Sequence, residues 1–277
     1  MKNRKRAVPF ILFTLLIGLL LFFSITKSIR SEYTSNDTPT LFLHGYKGSE
    51  RSFATMLERL ERRGPGEKQM IVRVTEKGKV QIKGDLEGSA PLVQVIFEDA
   101  RASIDQQKDW LKSIMSALKD DYGVDHINLV GHSMGGLSLA GFLAEKEEDA
   151  PDVNKLVVMA SPFNGIEKEG YFKVNFGDAA TDLRPESKAL VDLKKRQIDS
   201  VDVLAIAGVI NREDRASEQW DGLVKRNSVR GIQSLVPRHR IQFEIVRGNF
   251  ATHSGLHESP YVDKLVADFL WKEPDTS

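Results

Sequence analysis

Gly131-His132-Ser133-Met134-Gly135 follows directly on the apolar run Ile127-Asn128-Leu129-Val130 and leads into Leu137-Ser138-Leu139-Ala140-Gly141-Phe142-Leu143. A G-x-S-x-G pentapeptide between a strand and a helix marks a sharp turn that presents a serine hydroxyl. That hydroxyl is a poor nucleophile until it is held rigidly and given a base. The turn does the holding: it forces Ser133 into a strained backbone conformation with Oγ projecting from the sheet. Strand and helix then nearly touch, and Gly131, Gly135 and Gly136 supply the small residues this needs. The pentapeptide alone occurs by chance; its flanking strand and helix give it meaning.

Working outward, apolar runs of strand length recur on both sides of this turn. Residues 40–43 form a continuous apolar run ending at His44-Gly45, the signature of a central strand buried on both faces. Phe53, Met56, Leu57 and Leu60 then fall at helical spacing, and Arg62-Arg63-Gly64-Pro65-Gly66 stops that helix. Residues 68–83 alternate through Met70, Val72 and Val74, turn at Lys77-Gly78-Lys79, and return through Val80 and Ile82: a β-hairpin at the domain edge. Residues 92–97, 127–130, 155–160, 201–209 and 241–246 read as further strands. Ile104, Trp110, Leu111, Ile114, Met115 and Leu118 form one apolar helix stripe, and 261–271 closes the chain as a helix. This alternation predicts an α/β fold, a doubly wound and mostly parallel sheet. Ligands in such sheets bind at the carboxyl ends of the strands, here the loops 44–49, 131–136, 161–164, 210–222 and 247–257. Residues 164–199 break the rhythm and read either as a small cap above the site or as an inert surface excursion.

The 277-residue chain accommodates one large domain, residues 40–277, behind an N-terminal segment. Residues 1–30 hold Lys2, Arg4, Lys5, Arg6, Lys27 and Arg30 and no acid, a net +6. The chain's 39 bases less those six leave 33 against 39 acids, so the rest is net −6. An acidic domain argues against nucleic acid as a partner. Residues 7–26 carry no charge, and at ~1.5 Å rise per residue they span ~30 Å, the thickness of a bilayer core. The bases before them predict a membrane anchor with the N-terminus in the cytoplasm and the domain outside, joined by a polar stalk at 31–39. A cleaved signal peptide is the competing reading. With no cysteine and no H-E-x-x-H, neither a disulfide framework nor a metal or other cofactor is expected.

Ser133 needs a base, and the base an orienting carboxylate; on such sheets the chain order is Ser, then Asp or Glu, then His. Among six histidines only His253 and His257 follow the last strand. His257 lies just before Ser259-Pro260, which read as an N-cap and first helical residue, so it is placed as a brace or alternative base and His253 as the base. Asp221, in Trp220-Asp221-Gly222-Leu223-Val224, lies in the loop after the 201–209 strand and is the candidate acid. Asp214 and Asp202 are its rivals: Asp214 is nested in a charge run, and Asp202 starts its strand at the wrong end of the sheet. Oxyanion donors are backbone N–H groups; position assigns them to Met134, after the nucleophile, and to Tyr46, after the first core strand.

Leu43-His44-Gly45, the elbow, Trp220-Asp221-Gly222-Leu223-Val224 and His253-Ser254-Gly255-Leu256-His257-Glu258 together resemble the α/β-hydrolases of Gram-positive bacteria often labelled membrane-bound cell-surface hydrolases, a family without a firmly assigned substrate. The resemblance runs from about Thr40 to Trp271. It implies an α/β-hydrolase fold and, through the family's likeness to small bacterial lipases and esterases, the same Ser–Asp–His roles. Where the family has Ser-Asp-Gly this chain has Trp220-Asp221-Gly222, a departure that leaves the acid in place.

The leading functional reading is a serine esterase acting on small-molecule or lipid esters at the extracytoplasmic membrane face, through an acyl-enzyme. An acyltransferase or thioesterase would use the same triad. A non-catalytic surface binding module, the reading of a different class, would lack a triad member, and all three are present.

Overall fold

The computed structural model describes residues 33, 37–64, 66–145, 147–211, 213 and 219–272. The segment read as a membrane anchor, most of the stalk and Asp214 lie outside the described residues. Among the described residues no helix is long and apolar enough to cross a membrane.

Eight strands form one sheet: β1 (Thr40–Leu43), β2 (Glu67–Val74), β3 (Val80–Gly84), β4 (Pro91–Phe97), β5 (His126–His132), β6 (Asp152–Met159), β7 (Asp202–Val209) and β8 (Ile241–Arg247). Their spatial order is β3-β2-β4-β1-β5-β6-β7-β8, and only the β2–β3 hairpin pairs antiparallel. The hairpin predicted over 68–83 is therefore present, with β3 as the edge and β2 paired parallel to β4. The main helices are α1 (Arg51–Arg63), α2 (Ile104–Tyr122), α3 (Met134–Glu145), and, closing the chain, the helix Pro260–Trp271.

The central strands read as unbroken apolar runs because both faces are covered. Alternate residues divide between two cores. Leu41, Leu43, Leu129, Leu156, Val158, Val203 and Ala205 face the side packed by α2 and α3. Phe42, Val130, Val157, Met159, Leu204 and Ile206 face the side packed by α1 and the C-terminal helix. On that second side Arg59 of α1 donates through Nη2 to Asp263 Oδ1 at 2.9 Å and to the carbonyl of His257 at 3.1 Å. Nε completes the pairing with the same carboxylate. The paired charges are buried, which is tolerable only because each is hydrogen-bonded by the other. They tie the final helix, and the turn before it, to α1.

Residues 164–199 fold as three short helices, α4 (Tyr171–Val174), α5 (Asp178–Asp182) and α6 (Lys188–Lys194). Ile166, Ala179, Leu183, Leu190, Leu193 and Ile198 are buried within the α2/α3-side core, and Asp182 Oδ2 accepts from the backbone of Ile104 at the start of α2. The segment is thus packed onto the domain along its length. A further helix, α7 (Arg226–Arg230), follows β7, and the Pro260–Trp271 helix is α8. Pro260 takes the first helical position, as its sequence predicts; Ser259 stands at the N-cap position, but its side chain makes no capping bond.

Three imidazoles are buried near the carboxyl ends of the strands: His44, His132 and His257. Burial lowers the pKa of His44 and His257 and pushes that of His132 well below the usual histidine range. His44 also accepts the Phe97 N–H at Nε2, 3.1 Å away, a bond that a second ring proton would break. Unfolded, these rings titrate near about 6.5. Below that value the unfolded chain takes up protons that the folded chain refuses, so stability is full above about pH 7 and falls as pH drops through about 6.5. The urea midpoint is expected to fall between pH 7.5 and 5.5, and an unchanged midpoint would refute the buried-neutral assignment.

Candidate active site

Ser133 stands between β5 and α3 with φ 55°, a left-handed conformation rare for a residue with a Cβ. Holding it there takes roughly 1–3 kcal/mol of strain, which persists only where the surroundings over-determine it. The surroundings are the glycines. A Cβ on Gly131 would lie 2.5 Å from Gly136 Cα, and one on Gly135 2.5 Å from the carbonyl oxygens of Leu43 and His44. Strand, turn and helix therefore meet at backbone contact. The Ser133 N–H is fixed to the Met159 carbonyl at 2.8 Å. Ser133 is 5% exposed, and among the described residues its hydroxyl has no hydrogen-bond partner.

The candidate acid is held from three directions. Asp221 Oδ1 accepts from the backbone N–H groups of Leu223 at 2.8 Å and Val224 at 2.7 Å. Its other oxygen, Oδ2, lies 2.8 Å from His253 Nδ1. The turn that makes this possible needs Gly222 at φ 90°, and Gly208, at the end of β7, leaves room for the Asp221 Cβ. Because a carboxylate accepts, Nδ1 carries a proton, and in the neutral form of the ring the lone pair is then on Nε2. This is the tautomer a general base requires. Asp221 is 2% exposed, whereas His253 retains access to solvent. Of the rivals, Asp202 begins β7 at the opposite end of the sheet and pairs with Arg240 at 2.9 Å.

His257 lies in the short 3-10 turn Leu256–Glu258, against Phe53 and His132, with Nδ1 3.1 Å from Glu258 Oε1. It is buried there, with its ring enclosed by Phe53 and His132. His126 and His239 are exposed, at the start of β5 and in the turn before β8.

The loop after β1, which carries Tyr46, packs against the turn that carries Ser133 and Met134. A Cβ on Gly45 would lie 2.8 Å from Ser133 Cβ and 3.4 Å from Met134 N, so the β1 loop passes directly over Ser133. Neither Tyr46 N–H nor Met134 N–H donates to another described residue. Two residues that the sequence reading leaves without a role hold this arrangement. Since His44 Nε2 accepts from Phe97, its proton sits on Nδ1 and is donated to the Gly45 carbonyl at 2.9 Å, which also receives the Gly48 N–H at 2.9 Å. Gln107, on the buried stripe of α2, accepts from Ser138 Oγ at 2.7 Å and places its amide 3.7 Å from the Met134 sulfur. A glutamine on an otherwise apolar stripe is the one sequence signal that singles it out.

The start of the 164–199 segment reaches the loops after β7 and β1. Lys168 Nζ donates to the Gly222 carbonyl at 3.0 Å and Glu167 pairs with Lys225 at 2.9 Å, beside Asp221. Further along, Asn175 accepts from Lys47 Nζ at 2.5 Å, and the Phe176 carbonyl from Tyr46 Oη at 3.4 Å. In the sheet β5 and β6 lie between β1 and β7. A stretch tied to the loops after β1 and β7 therefore crosses the carboxyl ends of the strands between them.

Comparison with known proteins accords with this fold. In fold the chain is similar to a gene product of Listeria innocua, at 25% identity and a TM-score of 0.69, over 87% of this chain and 97% of that one. It is similar to a Lactobacillus plantarum protein named as a candidate cell surface hydrolase, at 21% identity and a TM-score of 0.60, over 84% and 89%. Lipase B of Aspergillus fumigatus shares the fold at 11% identity and a TM-score of 0.59, over 87% of this chain and 55% of that one. No curated protein matches it in sequence. A family model described as an alpha/beta hydrolase of unknown function, DUF915, matches residues 27–273, and the chain belongs to that family.

Proposed function

We propose that this α/β hydrolase cleaves carboxylic esters with Ser133 as nucleophile, His253 as general base and Asp221 as the carboxylate that orients it. The observation that carries the reading is the 2.8 Å bond between His253 Nδ1 and Asp221 Oδ2 in a chain whose serine is strained at the elbow. In the acylation step His253 Nε2 takes the Ser133 proton as Oγ attacks the ester carbonyl. The resulting oxyanion is stabilised by the N–H groups of Tyr46 and Met134, each such donor worth about 10²–10³ in rate. His253 then returns the proton to the leaving alcohol, and the acyl group remains on Ser133. Water, activated by the same imidazole, attacks the acyl-enzyme and releases the acid. The 167–176 stretch roofs the site in this reading and shapes the space for the acyl group.

The reading extends to location. The uncharged residues 7–26 behind four bases support a domain held at the outer membrane face. External protease added to intact cells is expected to degrade the domain; full protection would reverse that topology.

Ser133→Ala is expected to lower kcat for p-nitrophenyl esters by roughly 10⁴-fold or more and to abolish fluorophosphonate labelling, with the fold intact. A variant keeping a tenth of the activity would remove Ser133 from the mechanism. Asp221→Asn is expected to lose about 10⁴-fold by favouring the wrong tautomer of His253. His253→Ala and His257→Ala separate the two candidate bases. The first is expected to match Ser133→Ala, and the second to act chiefly on stability. The opposite ranking in folded variants would transfer the base to His257.

A further inference from the structure

His132 is the residue before the nucleophile, and its buried ring points across the sheet toward the loop that follows β8. Its Nε2 lies 2.9 Å from the carbonyl oxygen of His253. A carbonyl only accepts, so Nε2 carries the His132 proton and donates it. The other main-chain group of His253, its N–H, donates to the Asp221 carbonyl at 2.9 Å. Both backbone polar groups of the candidate base are thus engaged, one by the residue covalently joined to Ser133 and one by the candidate acid. With the Nδ1–Oδ2 bond, they connect all three triad members without substrate.

The rings add a second level of contact. His132 lies 4.7 Å from the His253 ring between centroids and 4.8 Å from His257, the latter edge-to-face at 83°. His257 in turn rests against Phe53, and its carbonyl accepts from Arg59. The loop bearing His253 is therefore backed by a packed chain of rings that ends on α1.

We propose that His132 is a positioning residue: its Nε2–H fixes the main chain of His253, and through it the imidazole, relative to Ser133. This rests on the Ser133–Asp221–His253 reading above. A loop residue carries its side chain wherever its own carbonyl is allowed to turn. One donor on that carbonyl, delivered from the nucleophile's own strand, sets base and nucleophile in a common frame. The burial that keeps His132 neutral preserves a single-proton ring. Misplacement of a reacting group by about 1 Å costs about 10²-fold in rate, which sets the scale of the expected effect.

The test compares His132→Phe, His132→Gln and Ser133→Ala on p-nitrophenyl acetate, with thermal melts to establish folding. Phenylalanine keeps the ring and its stacking but has no donor; glutamine restores an N–H. His132→Phe is expected to lower kcat about 10- to 100-fold with KM changed less than about twofold, and to slow fluorophosphonate labelling in proportion. His132→Gln is expected to recover part of the loss. Full activity in His132→Phe beside an inactive Ser133→Ala would overturn the positioning role and leave the triad standing. An active Ser133→Ala would overturn both. A His132→Gln no better than His132→Phe would assign the loss to packing and overturn the role of the donor. Should His132→Phe fail to fold, long-range ¹H–¹⁵N spectra of histidine-labelled native protein give the His132 tautomer directly. The proton is expected on Nε2, and a proton on Nδ1 would refute the bond.

Discussion

The backbone contact between β5, the β1 loop and α3 is the constraint from which the site follows. Gly131, Gly135 and Gly45 each stand where a single added carbon would fall within 3 Å of main chain or of Ser133 itself. Such an approach leaves Ser133 no relaxed conformation, and its φ of 55° results from the packing around it. The same contact lays the β1 loop, which carries Tyr46, over the turn that carries Met134. It also fixes the direction of His132, whose neighbour is pinned to Met159. The strain and the placement of the His132 ring have one cause.

The histidines around Ser133 differ in burial and in what their nitrogens meet. His44, His132 and His257 are buried, and burial disfavours the charged form of each. Each then makes directional use of a ring: His44 donates through Nδ1 and accepts through Nε2, while His132 donates through Nε2. His253 differs in retaining exposure and in facing a carboxylate that accepts two backbone N–H groups besides its own. His44, with both nitrogens committed, is structural material, and His132 and His257 are enclosed; the partly exposed His253, with the buried Asp221 carboxylate on Nδ1, is the ring proposed to move a proton.

The fold was legible because its signals are local. Strands buried on both faces read as unbroken apolar runs at β1, β4, β6 and β7, and half-exposed β2 and β3 read as an alternation broken by Lys77-Gly78-Lys79. The elbow was legible because close approach demands glycine, and the order of Asp221 and His253 because chain order and strand ends limit the choices. What stayed hidden depends on partners remote in sequence. Nothing near His132 announces a carbonyl 121 residues away, and nothing near Gln107 announces Met134. The side chain of Ser259 shows the converse: a favourable local pattern sets the helix start, while the expected capping bond is not made. Residues 164–199 resisted reading because their helices are too short to establish a period, and because the ties that add to their buried apolar residues are made by Lys168, Asn175 and Asp182, polar groups that look like ordinary surface.

That polar anchoring bears on how the proposed reaction would be tuned. Six residues lie between Lys168 and Asn175, four of them the helical turn α4 (Tyr171–Val174). The stretch is therefore coiled between its ties and is not drawn taut. Val174 and Phe176, 70% and 71% exposed, stand at its β1 end beside the tie to Tyr46, the residue proposed to offer an oxyanion donor. In the proposed reaction, changes in this stretch would act on acyl selection, and on the loop bearing Tyr46 through two hydrogen bonds. The elbow, fixed by backbone contact, would remain unchanged. Such a division would let substrate choice vary over a catalytic geometry that does not.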